Sequence, residues 1–441
     1  MKKNLLAASI AVALGGSPLI ASNAIADDMS AAGGDQSAQQ IMHELEQLKQ
    51  RVEKLQSDLD RERERNDELA EKQEETAEQA AAAQETASAS EPSINVGGAV
   101  RFNYTYNDAN DGNDRGGDLK FDTFRLNFDG EINDVILSAE WRWYEYFSAV
   151  HHAWVGYEFT DDLMAKAGIF QVPFGVIPYN SHNFYFSSLY YAGLEDNYDF
   201  GVGTTYTPGD WRFDFAFLKN DERLWGPEFD GSGDTDTYSA NVVGYNGNQG
   251  TTETVNTVAA RAEYDYQVTD KLTLKPGASL KYGQLDGGAN AGGDGDYYAA
   301  AAHLIADYDR WNVQLQYTDW EYDLDDPAAD YMNLGYYAGL YTGPLSAQAV
   351  TANVAYTLPV EWGPVSSLSF YNDYSLIFDK NAGYDDTYMN VTGMAVSAGG
   401  VYAYFDIING ENQPFVAGAM AGPGQSNEDN TIFNINVGYY F

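Results

Sequence analysis

The stretch that decides the fold is Phe433-Asn434-Ile435-Asn436-Val437-Gly438-Tyr439-Tyr440-Phe441. Successive side chains of a β-strand point to opposite faces. One face of this stretch therefore carries only large apolar groups, namely Phe433, Ile435, Val437, Tyr439 and Phe441, and the other carries mainly small or polar groups. A strand of a closed membrane barrel can present such an apolar face to lipid while its neighbours satisfy its backbone. The alternative is an ordinary edge strand of a soluble sheet.

Two segments resemble export and assembly signals. Residues 1–26 combine Lys2 and Lys3 with an apolar run and the small-residue pattern Ala24-Ile25-Ala26, which is typical of a secretory signal peptide. The terminal Phe441, preceded by alternating apolar residues, resembles the assembly signal of bacterial outer-membrane barrels. After residue 26 the sequence has no apolar run of the roughly 20 residues that a spanning helix needs. We therefore expect an outer-membrane protein that crosses the bilayer with strands.

The composition excludes several classes of function. The chain has no cysteine, which rules out thiolate metal sites and thiol redox chemistry and fits passage through an oxidising compartment. It contains 66 acidic and 24 basic residues, for a formal net charge of -42. Binding to nucleic acid requires a basic surface, so we expect no nucleic acid partner.

A heptad repeat precedes the barrel. Apolar residues recur at alternating spacings of four and three between charged and polar residues, which is the pattern of a coiled coil. The seam consists of Ile41, Leu45, Leu48, Val52, Leu55 and Leu59. The sequence predicts a disordered N-terminus over residues 27–37, a coiled coil over 38–86 and a linker over 87–93. A lone solvated helix is the alternative to self-association.

From residue 94 to residue 441 the hydrophobic period becomes two, which predicts an all-β transmembrane barrel. Short turn signals occur at 130–134, 161–162, 208–210, 269–270, 309–310, 359–364 and 398–400. Longer polar connections occur at 107–118, 147–149, 173–200, 220–253, 284–296, 322–346, 380–386 and 410–429. Seven turns alternating with eight loops connect 16 antiparallel strands, with short turns in the periplasm and long loops outside. Counts of 14 or 18 strands are also compatible with the sequence.

Eight cations of the predicted strands share one strand face, which we predict to line the lumen. They are Arg101, Arg125, Arg142, Lys166, Arg212, Arg261, Lys275 and Lys281. A cation that faced lipid would cost roughly 2 to 4 kcal/mol, so this sorting is expected of any barrel. One interpretation is that nearby inward acids balance these cations, as Glu140 would balance Arg142.

A second interpretation is that some of these cations line a constriction and set a transverse field there. In that case the wall cluster is Arg101, Arg125, Arg142 and Lys166. The third long loop would lie opposite, carrying aromatic residues together with Glu195, Asp196 and Asp199. The aromatic residues of that loop could equally pack against the inner wall.

The segment Ala167-Gly168-Ile169-Phe170-Gln171-Val172-Pro173-Phe174-Gly175, with the barrel length and terminal Phe, resembles the phosphate-selective porin O and P family. The resemblance implies a trimeric 16-stranded porin whose third loop narrows each pore. Phosphate selectivity is not expected, because Gln171 stands where many relatives carry Lys, and no Lys or Arg occurs between Lys166 and Arg212. From Pro92 onward there are 48 acidic and 15 basic residues, a formal charge of -33, so we expect a general or weakly selective pore.

The helical extension is similar to that of some sugar porins, in which a helix projects into the periplasm. Three barrels would place three such helices on one axis, so the seam and a homotrimer support each other. The other expected partners are outer-membrane lipids and lipopolysaccharide, with peptidoglycan within reach of the coiled coil.

No cofactor, metal site or catalytic residue is predicted. The acidic stretch 108–118 and the group Asp323, Asp325, Asp326 and Asp330 lack the spacing of a defined calcium loop, although they could share divalent cations with lipid. His151 and His152 are adjacent in a predicted strand, so they should face opposite sides and cannot ligate one metal. No nucleophile with a positioned histidine is recognisable, so we do not expect an enzyme.

The leading hypothesis is passive diffusion of small hydrophilic solutes and ions through a trimeric pore. A sugar-selective channel would need a track of aromatic rings down the lumen, and the inward residues Tyr402, Tyr404, Trp154 and Trp320 could begin one. An anion-selective channel and a structural tether between outer membrane and periplasm are the further alternatives.

Overall fold

The computed structural model describes residues 93–108, 116–223, 235–249, 252–288 and 291–441, together with Lys49 and Lys54, which are helical. The predicted signal peptide, disordered N-terminus, coiled-coil seam and linker up to residue 92 lie outside these residues. In the part of the chain that the structure describes, no helix is both long and apolar enough to cross a bilayer.

Apart from short 3-10 helices at Tyr190–Ala192, Ala291–Gly293, Asn381–Gly383 and Gly422–Gly424, the regular structure described from residue 93 onward consists of β-strands. In chain order they are β1 (Ser93–Asn107), β2 (Asp118–Ile132), β3 (Val135–Tyr144), β4 (Ser148–Thr160), β5 (Leu163–Gln171), β6 (Tyr198–Tyr206), β7 (Trp211–Asp221), β8 (Asn241–Tyr245), β9 (Asn248–Gln249), β10 (Glu253–Tyr264), β11 (Tyr266–Thr269), β12 (Leu272–Asp286), β13 (Gly295–Tyr308), β14 (Trp311–Leu324), β15 (Tyr331–Tyr336), β16 (Gly339–Pro344), β17 (Ser346–Trp362), β18 (Val365–Phe378), β19 (Thr387–Ala398), β20 (Val401–Glu411) and β21 (Asn430–Tyr440).

Most of these strands form one closed antiparallel sheet. Neighbours in the chain pair with each other, and β21 pairs with β1 from Ala99 opposite Tyr440 to Asn107 opposite Ile432. β10 and β11 both pair with β12 and together make one strand that is interrupted at Asp265. The sheet is therefore a barrel of 16 strands, and the predicted strand number is confirmed.

The predicted turns and loops are also confirmed. Short connections join β2 to β3, β4 to β5, β6 to β7, β11 to β12, β13 to β14, β17 to β18 and β19 to β20. Tight turns need residues that tolerate a left-handed backbone, which is why Gly, Asn and Asp mark them. Asn133, Asp309 and Gly399 have φ values of 55°, 55° and 61° at three of these turns. The second predicted longer connection, 147–149, is displaced slightly, since β4 begins at Ser148 rather than after Ala149.

The outer surface of the barrel is an apolar belt. Large side chains at alternate strand positions are exposed, among them Phe102, Val155, Val202, Phe215, Val258 and Leu280. The last strand follows this rule, since Phe433, Val437, Tyr439 and Phe441 are exposed and Ile435 is half-buried. On its other face Asn434 and Asn436 are buried. The predicted alternation is confirmed, and the belt is what a barrel needs to lie in lipid.

Replacing Phe215 with arginine should destabilise the barrel by about 2 to 4 kcal/mol, because Phe215 is exposed on the outer face near the middle of β7. The free energy of unfolding in lipid vesicles, obtained from guanidinium titrations, measures the effect. Phe215→Leu is the matched control and keeps an apolar group in contact with lipid. Equal stability of the arginine and leucine variants would contradict a lipid-facing position.

Two of the predicted loops contain strands of their own. The connection between β7 and β10, residues 222–252, which we call L4, includes β8 and β9. The connection between β14 and β17, residues 325–345, which we call L6, includes the hairpin of β15 and β16. β15 pairs with β8, so the two loops join into a second four-stranded sheet. Most of its apolar side chains are buried, including Val243, Met332 and Leu334.

Candidate pore constriction

The third long loop, residues 172–197, which we call L3, crosses the lumen instead of extending outward. Its backbone N–H groups bond to side chains on the opposite wall. The N–H of Val176 donates to Gln316 Oε1 of β14 at 2.8 Å, and the N–H of Ser188 donates to Ser375 Oγ of β18 at 3.0 Å. Since L3 leaves the barrel wall at β5, these bonds show that the loop spans the barrel.

His182 fixes the middle of L3 to the wall. Its N–H donates to Asp373 Oδ2 at 2.6 Å, and its ring atoms Nδ1 and Nε2 lie 2.8 Å from Asp373 Oδ1 and 2.7 Å from Asn312 Oδ1. Burial opposes a charge on the imidazole, but the hydrogen bond and the charge of Asp373 outweigh burial and raise the pKa of His182. A positive charge on this ring is thus favoured at the surface of L3.

The predicted acids of L3 hold the loop together. The carboxylate of Glu195 is buried and accepts the N–H groups of Asn180 and Ser187 at 3.0 and 3.1 Å, together with the hydroxyls of Ser181 and Ser187. Burial nevertheless raises the pKa of Glu195 to about 7. Because every donor around this group belongs to L3, Glu195 sets the shape of the loop.

Asp196 joins L3 to β5, to β6 and to L4. It accepts the hydroxyl of Tyr238 in L4 at 2.6 Å, the amide of Gln171 at 2.9 Å and the hydroxyl of Tyr198 at 3.0 Å. Burial raises the pKa of Asp196 to about 6. The third predicted acid, Asp199, is buried near the start of β6.

Three arginines stand on neighbouring strands of the barrel wall. Arg101 Nε lies 2.6 Å from Asp122 Oδ2. Arg142 and Arg125 share Glu140, with Arg142 Nε 2.5 Å from Oε1 and Arg125 Nη1 3.6 Å from Oε2. Arg125 and Arg142 are direct partners in the register of β2 and β3. The cluster therefore combines three guanidinium groups with two carboxylates.

A cavity of about 380 Å³ is lined by this arginine cluster and by L3. Its lining combines Arg101, Arg125, Arg142 and Asp122 with polar groups of L3 and many aromatic rings. The rings are Tyr144, Tyr179, Phe184, Tyr185, Phe186, Tyr190, Tyr191, Tyr238, Tyr337, Tyr404, Phe415 and Tyr440. One wall of the cavity carries the arginine cluster, L3 contributes His182 together with neutral polar groups, and aromatic rings form most of the remainder.

The other predicted constriction residues lie outside this lining. Glu140 stands behind the arginines as their shared partner, and Glu195, Asp196 and Asp199 are buried. Lys166 lies near the short-turn end of β5, with Nζ 4.6 Å from the ring centre of Phe170 and 5.4 Å from that of Trp154. Whether any of these groups acts on a passing solute remains a prediction.

The predicted balance between lumenal cations and nearby acids is present along the wall. Arg212 Nε lies 2.9 Å from Asp214 Oδ2, and Arg261 Nη2 lies 2.5 Å from Glu263 Oε2. Arg261 also reaches Asp214 at 3.4 Å. Ion pairing and a charged constriction are thus compatible, since Arg101, Arg125 and Arg142 take part in both.

The sequence did not indicate the contributions of L4 and L6 to the cavity. Tyr238 of L4 and Tyr337 of L6 both line it, with ring centres 6.0 Å apart. The Cζ atom of Arg142 lies 4.4 Å from the ring centre of Tyr238. A long polar loop has no periodicity from which such an inward position could be derived.

The predicted separation of His151 and His152 is wrong. Glu140 pairs with His152, but the next residue, Trp141, pairs with Val150, so His151 is the extra residue of a β-bulge. The bulge brings the two Nδ1 atoms to 2.8 Å. Among the described residues, no group of three His, Cys, Asp or Glu side chains is arranged to hold a metal ion.

A closed 16-stranded barrel with an apolar outer belt and a loop folded across its lumen has the architecture of an outer-membrane porin. The outer-membrane channel DcaP of Acinetobacter baumannii aligns with a TM-score of 0.51 at 12% identity, over 79% of this chain and 97% of that chain. This likeness shows a shared fold.

Two further structures align at lower scores. The outer-membrane protein OmpT of Vibrio cholerae in its trimer form aligns with a TM-score of 0.49 at 13% identity, over 79% of this chain and 99% of that chain. The anion-selective porin from Comamonas acidovorans has the same score and identity, over 80% and 100% of the two chains. No family model and no curated protein sequence matches this chain.

Replacing Glu195 with glutamine should make L3 less firmly held and change how its motion depends on pH. Glutamine keeps one acceptor oxygen but turns a donor toward Ser187, whose N–H then loses its partner, at a cost of about 1 to 3 kcal/mol. In the native chain the pKa of Glu195 is raised on folding. The stability that this shift contributes is therefore present at low pH and is lost as the pH rises through about 7.

Current noise in single-channel recordings reports the motion of L3. We expect native channels to be noisier at about pH 9 than at about pH 5, and Glu195→Gln channels to be noisier than native at both values with little change between them. Asp161→Asn is the control, because it removes a carboxylate from an exposed turn. If the native and Glu195→Gln channels showed the same noise at both pH values, Glu195 would not hold the loop.

Proposed function

We propose that this chain is an outer-membrane porin through which small hydrophilic solutes and ions diffuse passively. The observation that carries the proposal is L3, which crosses the lumen and leaves a polar, charged cavity against the arginine cluster. A barrel interior packed only for stability would not need three cations at one point. We propose no catalytic activity for the chain.

The proposed assembly is a homotrimer in the outer membrane, in contact with lipid and lipopolysaccharide. The heptad seam supports a trimer, because three barrels around one axis would bring three helices together in the periplasm. There the helices could reach peptidoglycan.

The segment Pro173-Phe174-Gly175 supports placing the chain near the phosphate-selective O and P family, but the absence of Lys and Arg between Lys166 and Arg212 argues against phosphate as its solute.

The cavity also decides which ions we expect to pass. The barrel segment carries a formal charge of -33, which by itself would attract cations. At the constriction, however, Arg101, Arg125 and Arg142 exceed their two carboxylate partners. Because the narrowest region controls permeation, we propose a preference for anions.

Recordings from purified full-length protein in planar lipid bilayers test the proposal. Ohmic current steps that occur in groups of three would support a trimeric porin. Reversal potentials in a salt gradient would then give the ion preference. Protein that inserts but produces no steps would contradict the proposal and favour the tether.

A sugar-selective channel is the second candidate, favoured by the position of Tyr404. Tyr404 lines the cavity, and its ring centre lies 5.0 Å from that of Tyr402. The other two rings do not continue the track, since Trp320 is fully buried and Trp154 lies beside Lys166. Block of the current by maltose-type oligosaccharides at low concentration would favour this candidate.

A further inference from the structure

We propose that the constriction cavity is a binding site for small aromatic monocarboxylates, which the channel selects over inorganic anions and over aliphatic acids of equal charge. This inference rests on the proposed porin function and names the class of solute that the same site accepts. It follows from the charge of one wall and from the rings that surround it.

The charge of the cluster favours one negative charge. Asp122 pairs with Arg101, and Glu140 is shared by Arg125 and Arg142. Three guanidinium groups against two carboxylates leave one excess positive charge. Arg125 has the weaker contact with Glu140, at 3.6 Å compared with 2.5 Å for Arg142, and its side chain lines the cavity. A carboxylate on a ligand would therefore gain most by approaching Arg125.

Aromatic rings stand beside the arginines. The Cζ atom of Arg101 lies 5.4 Å from the ring centre of Phe184, and the Cζ atom of Arg125 lies 5.1 Å from that of Tyr440. Phe184 belongs to L3 and Tyr440 to β21, so rings approach the cluster from the loop and from the wall. A flat ligand with its carboxylate on Arg125 would place its ring among aromatic faces, where stacking is favourable.

Other anions and neutral solutes fit this cavity less well. Phosphate is strongly hydrated and carries up to two negative charges, which exceed the single excess positive charge of the cluster, and Phe184 and Phe186 offer it no hydrogen-bond donor. Sugar hydroxyls need free acceptors, but the carboxylates of Asp122 and Asp373 are already bound by Arg101 and His182. The volume of about 380 Å³ lies within the range of about 300 to 1,000 Å³ typical of small-molecule pockets.

Block of the chloride current through the purified full-length channel tests the inference. The probes are benzoate, cyclohexanecarboxylate, acetate and phosphate, added at fixed ionic strength. Benzoate and cyclohexanecarboxylate share charge and size, but only benzoate is aromatic. We expect benzoate to reach half-block at a concentration about tenfold lower than cyclohexanecarboxylate, with acetate and phosphate weaker still.

Three variants test the aromatic contact and the charge of the site separately. Phe184→Leu should bring the half-blocking concentrations of benzoate and cyclohexanecarboxylate together, because the ring contact is lost while the charge remains. Arg125→Gln should weaken block by both acids. Phe159→Leu is the control, since Phe159 is exposed on the barrel surface outside the cavity, and it should leave block unchanged.

The possible failures are distinguishable. A chloride current that benzoate and cyclohexanecarboxylate block equally, or that phosphate blocks most strongly, would overturn this inference while the porin function stands. The complete absence of current would overturn both. Block by benzoate that Phe184→Leu and Arg125→Gln leave unchanged would locate its site elsewhere and would also overturn the inference.

Discussion

Replacing Arg101, Arg125 and Arg142 together with glutamine is expected to reverse the ion preference of the channel from anions to cations. The three guanidinium groups are the arginine side chains that line the cavity, and without them Asp122 and Glu140 would dominate the charge of that wall. The acidic barrel would then reinforce the constriction instead of opposing it. Unit charges a few ångströms from a permeating ion in a confined polar site act with energies of about 4 kcal/mol before screening. We therefore expect the permeability ratio to change by at least about tenfold.

The reversal potential in a potassium chloride gradient measures this change, and its sign should invert. Arg212→Gln is the matched control, because Arg212 is paired with Asp214 and lies outside the cavity lining. Since unpaired carboxylates can destabilise the fold, the heat-dependent gel mobility of each variant should be compared with that of the native barrel. A folded triple variant that keeps the native reversal potential would show that these arginines do not control permeation.

Removing the hairpin of β15 and β16 should raise the single-channel conductance several-fold. Tyr331 and Pro344 are partners in the register of the hairpin, so residues 332–343 can be replaced with Asn-Gly, a sequence that favours a tight hairpin turn. The deletion removes Tyr337 from the cavity and takes away the strand that pairs with β8 of L4. Both effects widen the lumen, and the conductance step in planar bilayers measures the result.

Single substitutions provide smaller conductance changes with which the effect of this deletion can be compared. Tyr337→Ala should raise the conductance in the same direction by less, because it removes one ring and leaves the second sheet in place. Tyr146→Ala is the control, since Tyr146 is 82% exposed and lies outside the cavity lining. If the deletion left conductance unchanged, the narrowest point of the pore would have to be formed without L6.

The barrel could be predicted from the sequence because its determinants are local. Alternation of apolar and polar side chains defines a strand whatever its partner, and residues such as Asn133 and Gly399 mark turns through their backbone preferences. One face of each strand contacts lipid and the other contacts water. The alternation of side chains therefore also predicts that Arg101 and Arg142 point into the barrel. A barrel then closes by pairing each strand with the next.

The interior of the barrel could not be predicted in the same way. The position of L3 depends on contacts such as that between His182 and Asp373, which are 191 residues apart. Glu195 and Asp196 were predicted to face the pore, and nothing in their spacing indicates that donors within L3 and Tyr238 surround them. The strict alternation of side chains also fails where a β-bulge adds an extra residue to a strand, as at His151. The coiled coil remains a prediction from its heptad spacing.

The pairing of β1 with β21 has a consequence for how the barrel closes. The N–H of Gly98 donates to the carbonyl oxygen of Phe441 at 2.9 Å, and the N–H of Phe441 donates to the carbonyl oxygen of Gly98 at 3.1 Å. As long as β21 is not paired with it, β1 presents an unsatisfied edge that is open to mispairing with other chains. Closure of the barrel therefore has to wait until β21 is available to pair with β1.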